Sequence, residues 1–99
     1  MYVHSAKLVF HIAHASSLKD KRRVARSLID KTRHKFNASV AEVASQDAHR
    51  VLTVGVAVVS GCATHAKNSL DEIIDFAEET ADTLGAALIE ERFSNDGIY

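Results

Sequence analysis

Histidines, a single cysteine and a run of acids are the residues in this 99-residue chain whose types could do chemistry. His11 and His14 stand three apart at the end of an extended stretch. Side chains alternate there, so the two rings diverge. No CxxC, HExxH or acidic cage accompanies them, and they read as ordinary surface or sheet histidines. Cys62 and His65 have the types of a thiolate nucleophile and its base. Without a third group to orient the ring, a loop thiol is the simpler reading. Asp71, Glu72, Asp75, Glu78, Glu79 and Asp82 could be called paired carboxylates, but six acids at helical spacing are the pattern of a solvated face. Neither GxxxxGK[ST] nor GxGxxG is present. The sequence therefore assigns no catalytic residue, no metal ligand and no cofactor.

The charge pattern is more informative. Ser17 to Phe36 carries eight of the chain's twelve Lys and Arg. Ser17 fits an N-cap, with Asp20 three residues on as a capping-box partner. No Gly or Pro interrupts the following positions, so one helix is predicted. At about 100° per residue, Leu18, Ala25, Leu28, Ile29, Thr32 and Phe36 share the face that must be buried. Lys19, Arg22, Arg26 and Arg33 run beside it, with Arg23 further out, and Lys21, Lys31 and Lys35 are placed on the opposite flank. Arg26 and Asp30 form the one clear attractive i,i+4 pair. A helix tuned only for its own stability would mix signs. This one accepts self-repulsion, which points to a use for positive potential.

The rest of the chain supplies the scaffold. Its length makes one domain, 1–99, and hydrophobic content of 46% is ordinary for a globular core. One cysteine allows no intrachain disulfide and fits a reducing compartment. No signal peptide is read at the N-terminus, and no apolar run approaches the ~20 residues of a membrane span. A cytoplasmic protein without membrane attachment is expected. Tyr2 to Ile12 alternates as a strand. Ala38 to Val43 is a short second strand of ambiguous pattern, since Val40 and Val43 cannot share a face. Arg50 to Ser60 is apolar on both faces and should be central. A second helix spans about His65 to Leu84, with Gly85 at its C′ position. Ala87 to Phe93 is the last strand, and Ser94 to Tyr99 has little to pack and is expected to fray.

The order β-α-β-β-α-β predicts an α+β, ferredoxin-like domain: a four-stranded antiparallel sheet with two helices on one face. Right-handed crossovers put strands one and three at the centre. The open face presents Lys7, Val9, His11, Thr53, Gly55 and Ala57. It has no aromatic platform for stacking bases. At ~400 Å² from strand rise and spacing, it could seed a homodimer. The size and topology also match acylphosphatases. Their phosphate cradle needs a Gly and an Arg, and Ile12-Ala-His-Ala-Ser-Ser17 offers neither.

One combination of motifs is specific. Ser17-Leu-Lys-Asp-Lys-Arg-Arg23, Arg26-Ser-Leu28, Phe36-Asn37, Ser39-Val-Ala-Glu-Val43, Gln46-Asp47 and Gly55-Val-Ala-Val-Val-Ser60 together resemble the YlxP-like family of small bacterial proteins of unassigned function. The resemblance implies the same ferredoxin-like fold and a setting among translation genes, near an initiation factor and a ribosome-binding factor. It brings no catalytic residues. Ala44, Ser45 and His49 depart from the more polar or aromatic residues expected in that loop.

These strands of argument lead to one expectation. The chain is a non-enzymatic factor that docks on structured RNA or the ribosome, with Lys19, Arg22, Arg23, Arg26 and Arg33 as its phosphate contacts. The alternative is a protein-interaction or homo-oligomerisation module, in which the basic helix of one copy meets the acidic helix of another.

Overall fold

A computed structural model describes the backbone of residues 1–98 and the side chains of residues 1–94. The elements run β1 (Tyr2–Ile12), α1 (Leu18–Lys35), β2 (Ser39–Ala44), β3 (Val51–Ser60), α2 (Ala63–Thr83) and β4 (Ala86–Ile98). They form one four-stranded sheet in the order β2-β3-β1-β4, and every neighbouring pair is antiparallel. This is the ferredoxin-like split βαβ arrangement, with β1 and β3 central.

Alternation sorts the strands into two faces. Ala6, Leu8, Phe10 and Ile12 of β1 and Leu52, Val54, Val56 and Val58 of β3 are buried. Both helices pack onto that side: α1 contributes Ala25 and Leu28, α2 contributes Leu70, Ile73, Ile74, Ala77 and Ala81. Burying such side chains stabilises the fold by roughly 1.5–3 kcal/mol each for the larger ones. The opposite face carries no helix.

A β-bulge between Glu42 and Ala44 explains the ambiguous valines of β2. Val40 points into the core, whereas Val43 is 51% exposed on the open face. Val43 leans over Gly55, where an added Cβ would stand 2.8 Å from Val43 Cγ1. Gly55 is thus required by close approach, since its neighbour already fills the space.

The last strand differs from expectation. It does not stop at Phe93 but continues to Ile98, pairing Val3 with Gly97 and Tyr2 with Ile98. The expected frayed tail is therefore strand as far as Ile98, and Tyr99 lies outside the described residues. The eleven-residue β1 explains this, because it offers backbone partners along its whole length. An edge strand needs pairing on one side only, so a polar sequence suffices. A bulge between Val9 and Phe10 adds Ile89 to β4 and shifts the register beyond it.

Candidate nucleic-acid interface

Local hydrogen bonds fix where α1 begins. Ser17 Oγ accepts from the Asp20 amide at 3.2 Å. The Asp20 carboxylate reaches back one residue further than a standard capping box, accepting from Ser16 N at 3.0 Å and Ser16 Oγ at 2.8 Å. These bonds from Ser16, with a smaller contribution from Arg23, hold the Asp20 carboxyl below its usual range. At the other end, Phe36 packs edge-on against Phe76 of α2 at 5.5 Å between centroids. Lys35 Nζ stands over the Phe76 ring at 4.6 Å.

Between these anchors the buried stripe is Lys21, Ala25, Leu28 and Thr32. Leu18, placed in the core by the sequence, is 37% exposed, and Lys21, placed on the outer flank, takes its position inward. Its ammonium has three acceptors: Ser45 O, Ala48 O at 2.9 Å and Glu42 Oε2 at 2.9 Å. Three N–H donors meet three oxygens, so the buried charge is fully partnered. The spacing 21-25-28-32 is helical and would have revealed position 21 as internal, had its charge been set aside. The motif residues Lys21 and Glu42 thus meet across the fold, joining α1 to β2 and to the turn that follows it. Ser45 in that turn has a φ of +61°, and its hydroxyl lies 3.0 Å from Thr53 Oγ1.

The five cations assigned to phosphate contacts do not all group together. Lys19, Arg22, Arg23 and Arg26, with Ser27 and Asp30, line one shallow groove of about 590 Å³ on the exposed side of α1. Arg33 lies two turns further on. Its Nε donates to Val40 O at 3.0 Å, so part of its guanidinium is spent on β2. The expected Arg26–Asp30 pair is not formed; the ion pairs among the described residues are Lys21–Glu42, Lys67–Asp71 and Arg92–Glu90. Lys31, His34, Lys35 and Phe76 surround a second groove, which also includes Asp30 and so continues the first. Arg50, unassigned by the sequence, donates from Nε to Ala15 O at 3.1 Å and ties the β1–α1 connection to the start of β3.

The other candidates stay apart. His65 Nε2 lies 3.5 Å from Ser69 Oγ, while Cys62 is exposed at the start of α2. His11 sits between Val51 and Ala87 in the sheet. His14 lies in the connection beside Gly85, whose φ of +83° meets the left-handed requirement of a helix C-terminus. Among the described residues no three His, Cys, Asp or Glu side chains converge as a metal-binding set. No helix is long and apolar enough to cross a membrane.

Comparison with known proteins supports the resemblance and the fold. Residues 3–88 match a family model described as a protein of unknown function, DUF503. The uncharacterized protein YlxP of Bacillus subtilis (strain 168) is 31% identical over 64 residues, which cover 65% of this chain and 70% of that protein. A de novo designed protein with a ferredoxin fold aligns over 99% of this chain and 88% of its own, with a TM-score of 0.59 at 13% identity. A segment of the alpha subunit of aIF2 from Pyrococcus abyssi aligns over 96% of this chain and 51% of its own, with a TM-score of 0.51 at 8% identity. At such identities the two structures speak to fold alone.

Proposed function

The chain belongs to the DUF503 family, whose description assigns no activity, and we propose that it is a non-enzymatic RNA- or ribosome-associated factor that binds phosphate backbone through α1. One observation carries this reading: Lys19, Arg22, Arg23 and Arg26 share a groove and enter no ion pair among the described residues. Four like charges within about two turns raise the free energy of the isolated chain, and a polyanion relieves them by releasing its own counterions. Arg33, exposed on the same side of the helix, extends the row. Contacts of this kind fix position without reading sequence. The absence of stacking aromatics on the sheet's open face agrees with that division of labour.

Magnitudes weigh against the alternative, in which a second copy offers its acidic α2 to this groove. Exposed ion pairs contribute ~0–1 kcal/mol each. Association costs an estimated 4–15 kcal/mol before any gain appears. The outer faces of α1 and α2 lack the exposed apolar side chains that would make up the difference.

The test is binding of the purified chain to ribosomal subunits across a salt series, beside an Arg22→Glu, Arg26→Glu variant. Neutralising four or five phosphates gives a log–log salt slope of about −3 to −4. Loss of binding in the folded variant places the contact on α1. Salt-insensitive binding, or none at low salt, overturns the reading.

A further inference from the structure

The open face of the sheet, on the far side of the molecule from α1, holds an arrangement that the α1 reading does not use. Lys7 on β1 and Arg92 on β4 are register partners, and alternation puts both on this face. Like charges directly opposite across two strands repel. Arg92 is partly offset by Glu90, with Nε to Oε1 at 2.9 Å, whereas Lys7 enters none of the ion pairs among the described residues. The other neighbour of Lys7 is Gly55, which in turn pairs with Ala41. Beside the two cations the surface therefore drops to backbone level. The step leaves a cavity of about 420 Å³, floored by Gly55, Ala41 and Ala57 and walled by Val43, with the Ser5 and Ser39 hydroxyls at its side. Small-molecule sites occupy roughly 300–1,000 Å³.

A second copy laid face to face would bring two Lys7 side chains together near the dyad and strip both of water. That opposes a homodimer through the centre of this face. An anion answers the same arrangement favourably. Arg offers a planar fork to a phosphate and Lys a mobile point charge, while the small-residue floor admits a flat body without displacing a side chain.

We propose that the open face is a binding site for a phosphorylated small molecule, with its phosphate between Lys7 and Arg92 and its organic body on the floor of Gly55, Ala41 and Ala57. The site is separate from α1 and stands or falls independently of the ribosome reading.

Amide NMR on the full chain tests it, with inorganic phosphate and adenosine 5′-monophosphate as probes. The nucleotide is expected to shift the amides of Lys7, Ala41, Gly55 and Ala57 saturably, with a Kd at or below about 1 mM. Inorganic phosphate, lacking a body, should bind at least about tenfold more weakly at the same amides. Lys7→Met with Arg92→Gln, both exposed positions, should abolish saturation by either probe while the rest of the spectrum is unchanged. Ala41→Leu keeps the cations but fills the cavity, and should weaken the nucleotide about tenfold while leaving phosphate unaffected. Arg22→Glu with Arg26→Glu should leave nucleotide binding intact. The proposal is overturned by the absence of saturable shifts at these amides, by binding that survives the Lys7, Arg92 variant, or by shifts confined to α1.

Discussion

Replacing Lys21 with Met tests whether this buried cation holds the molecule together. The side chain is 3% exposed and that of its partner Glu42 is 28% exposed. Met keeps the length of the stem and removes the charge. Ser45 O would retain one donor, the Ala48 amide at 3.1 Å, whereas Ala48 O and the Glu42 carboxylate would lose their Lys21 contacts. Breaking a fully buried pair from one side costs about 3–5 kcal/mol. Glu42 is partly wet, so water recovers some of that, and about 3 kcal/mol is the expected loss. For a domain of this size each kcal/mol moves the midpoint by roughly 4–8 °C, giving a fall of roughly 12–24 °C. Thermal and urea unfolding followed by circular dichroism would measure it. Lys21→Met with Glu42→Met also removes the stranded carboxylate and should recover about half, because apolar pairs often replace buried ion pairs at little cost. If Lys21→Met falls within about 1 kcal/mol of the natural chain, the three contacts contribute little and the argument for a structural lysine fails.

Other expectations follow from single contacts. Gly55→Ala should lose about 1 kcal/mol through its clash with Val43, and Val43→Ala should restore it; equal stability of Gly55→Ala and the natural chain would contradict the close approach. Asp20 should titrate below the ordinary 3.8, because Ser16 bonds its charged form. A depressed carboxyl adds stability above the unfolded value and loses it as pH falls through the folded value, so the gap between the natural chain and Asp20→Asn should close below about pH 4. A gap that persists at about pH 2, or a carboxyl resonance titrating above 3.8, would remove that account. Phe76→Ala should cost about 2 kcal/mol, less than a fully buried Phe, since the ring is half-buried against Phe36 and Lys35. Unfolding midpoints decide it, and an unchanged midpoint would mean the helices need no aromatic contact.

The fold was legible because its signals are local and repeated. β3 shows apolar residues on both faces and is central. Helix α2 keeps its stripe from Ala66 to Ala81, and Gly85 stands where the chain must turn left-handed. The misplaced residues have a common physical origin, since tertiary partners decide their positions. Lys21 is internal only because Glu42 and the turn after β2 bring oxygens to it. Val43 faces out because a bulge follows Glu42. The continuation of β4 through Asn95 and Asp96 depends on a partner strand eighty residues earlier in the sequence, and polar composition alone gives no sign of it. The cationic groove was legible as one-sided charge, while the diversion of Arg33 to β2 was not. Lys7 and Arg92 become neighbours only through the register that the β4 bulge sets.

The bond from Arg33 to Val40 O has a further consequence for the behaviour of the chain in crowded solution. β2 is an edge strand with six residues and one sheet neighbour, the kind of backbone that recruits other chains into growing β-aggregates. The guanidinium covers a carbonyl on that strand, and the bulge beside it bends the remainder out of register with an incoming partner. The other edge, β4, is defended differently, by Glu90, Glu91 and Arg92 in mid-strand. A polyanion that drew Arg33 away from Val40 would uncover the shorter edge. Solubility and phosphate docking then compete for the same side chain, and Arg33→Ala should aggregate sooner on mild heating than a change at Arg22 or Arg26.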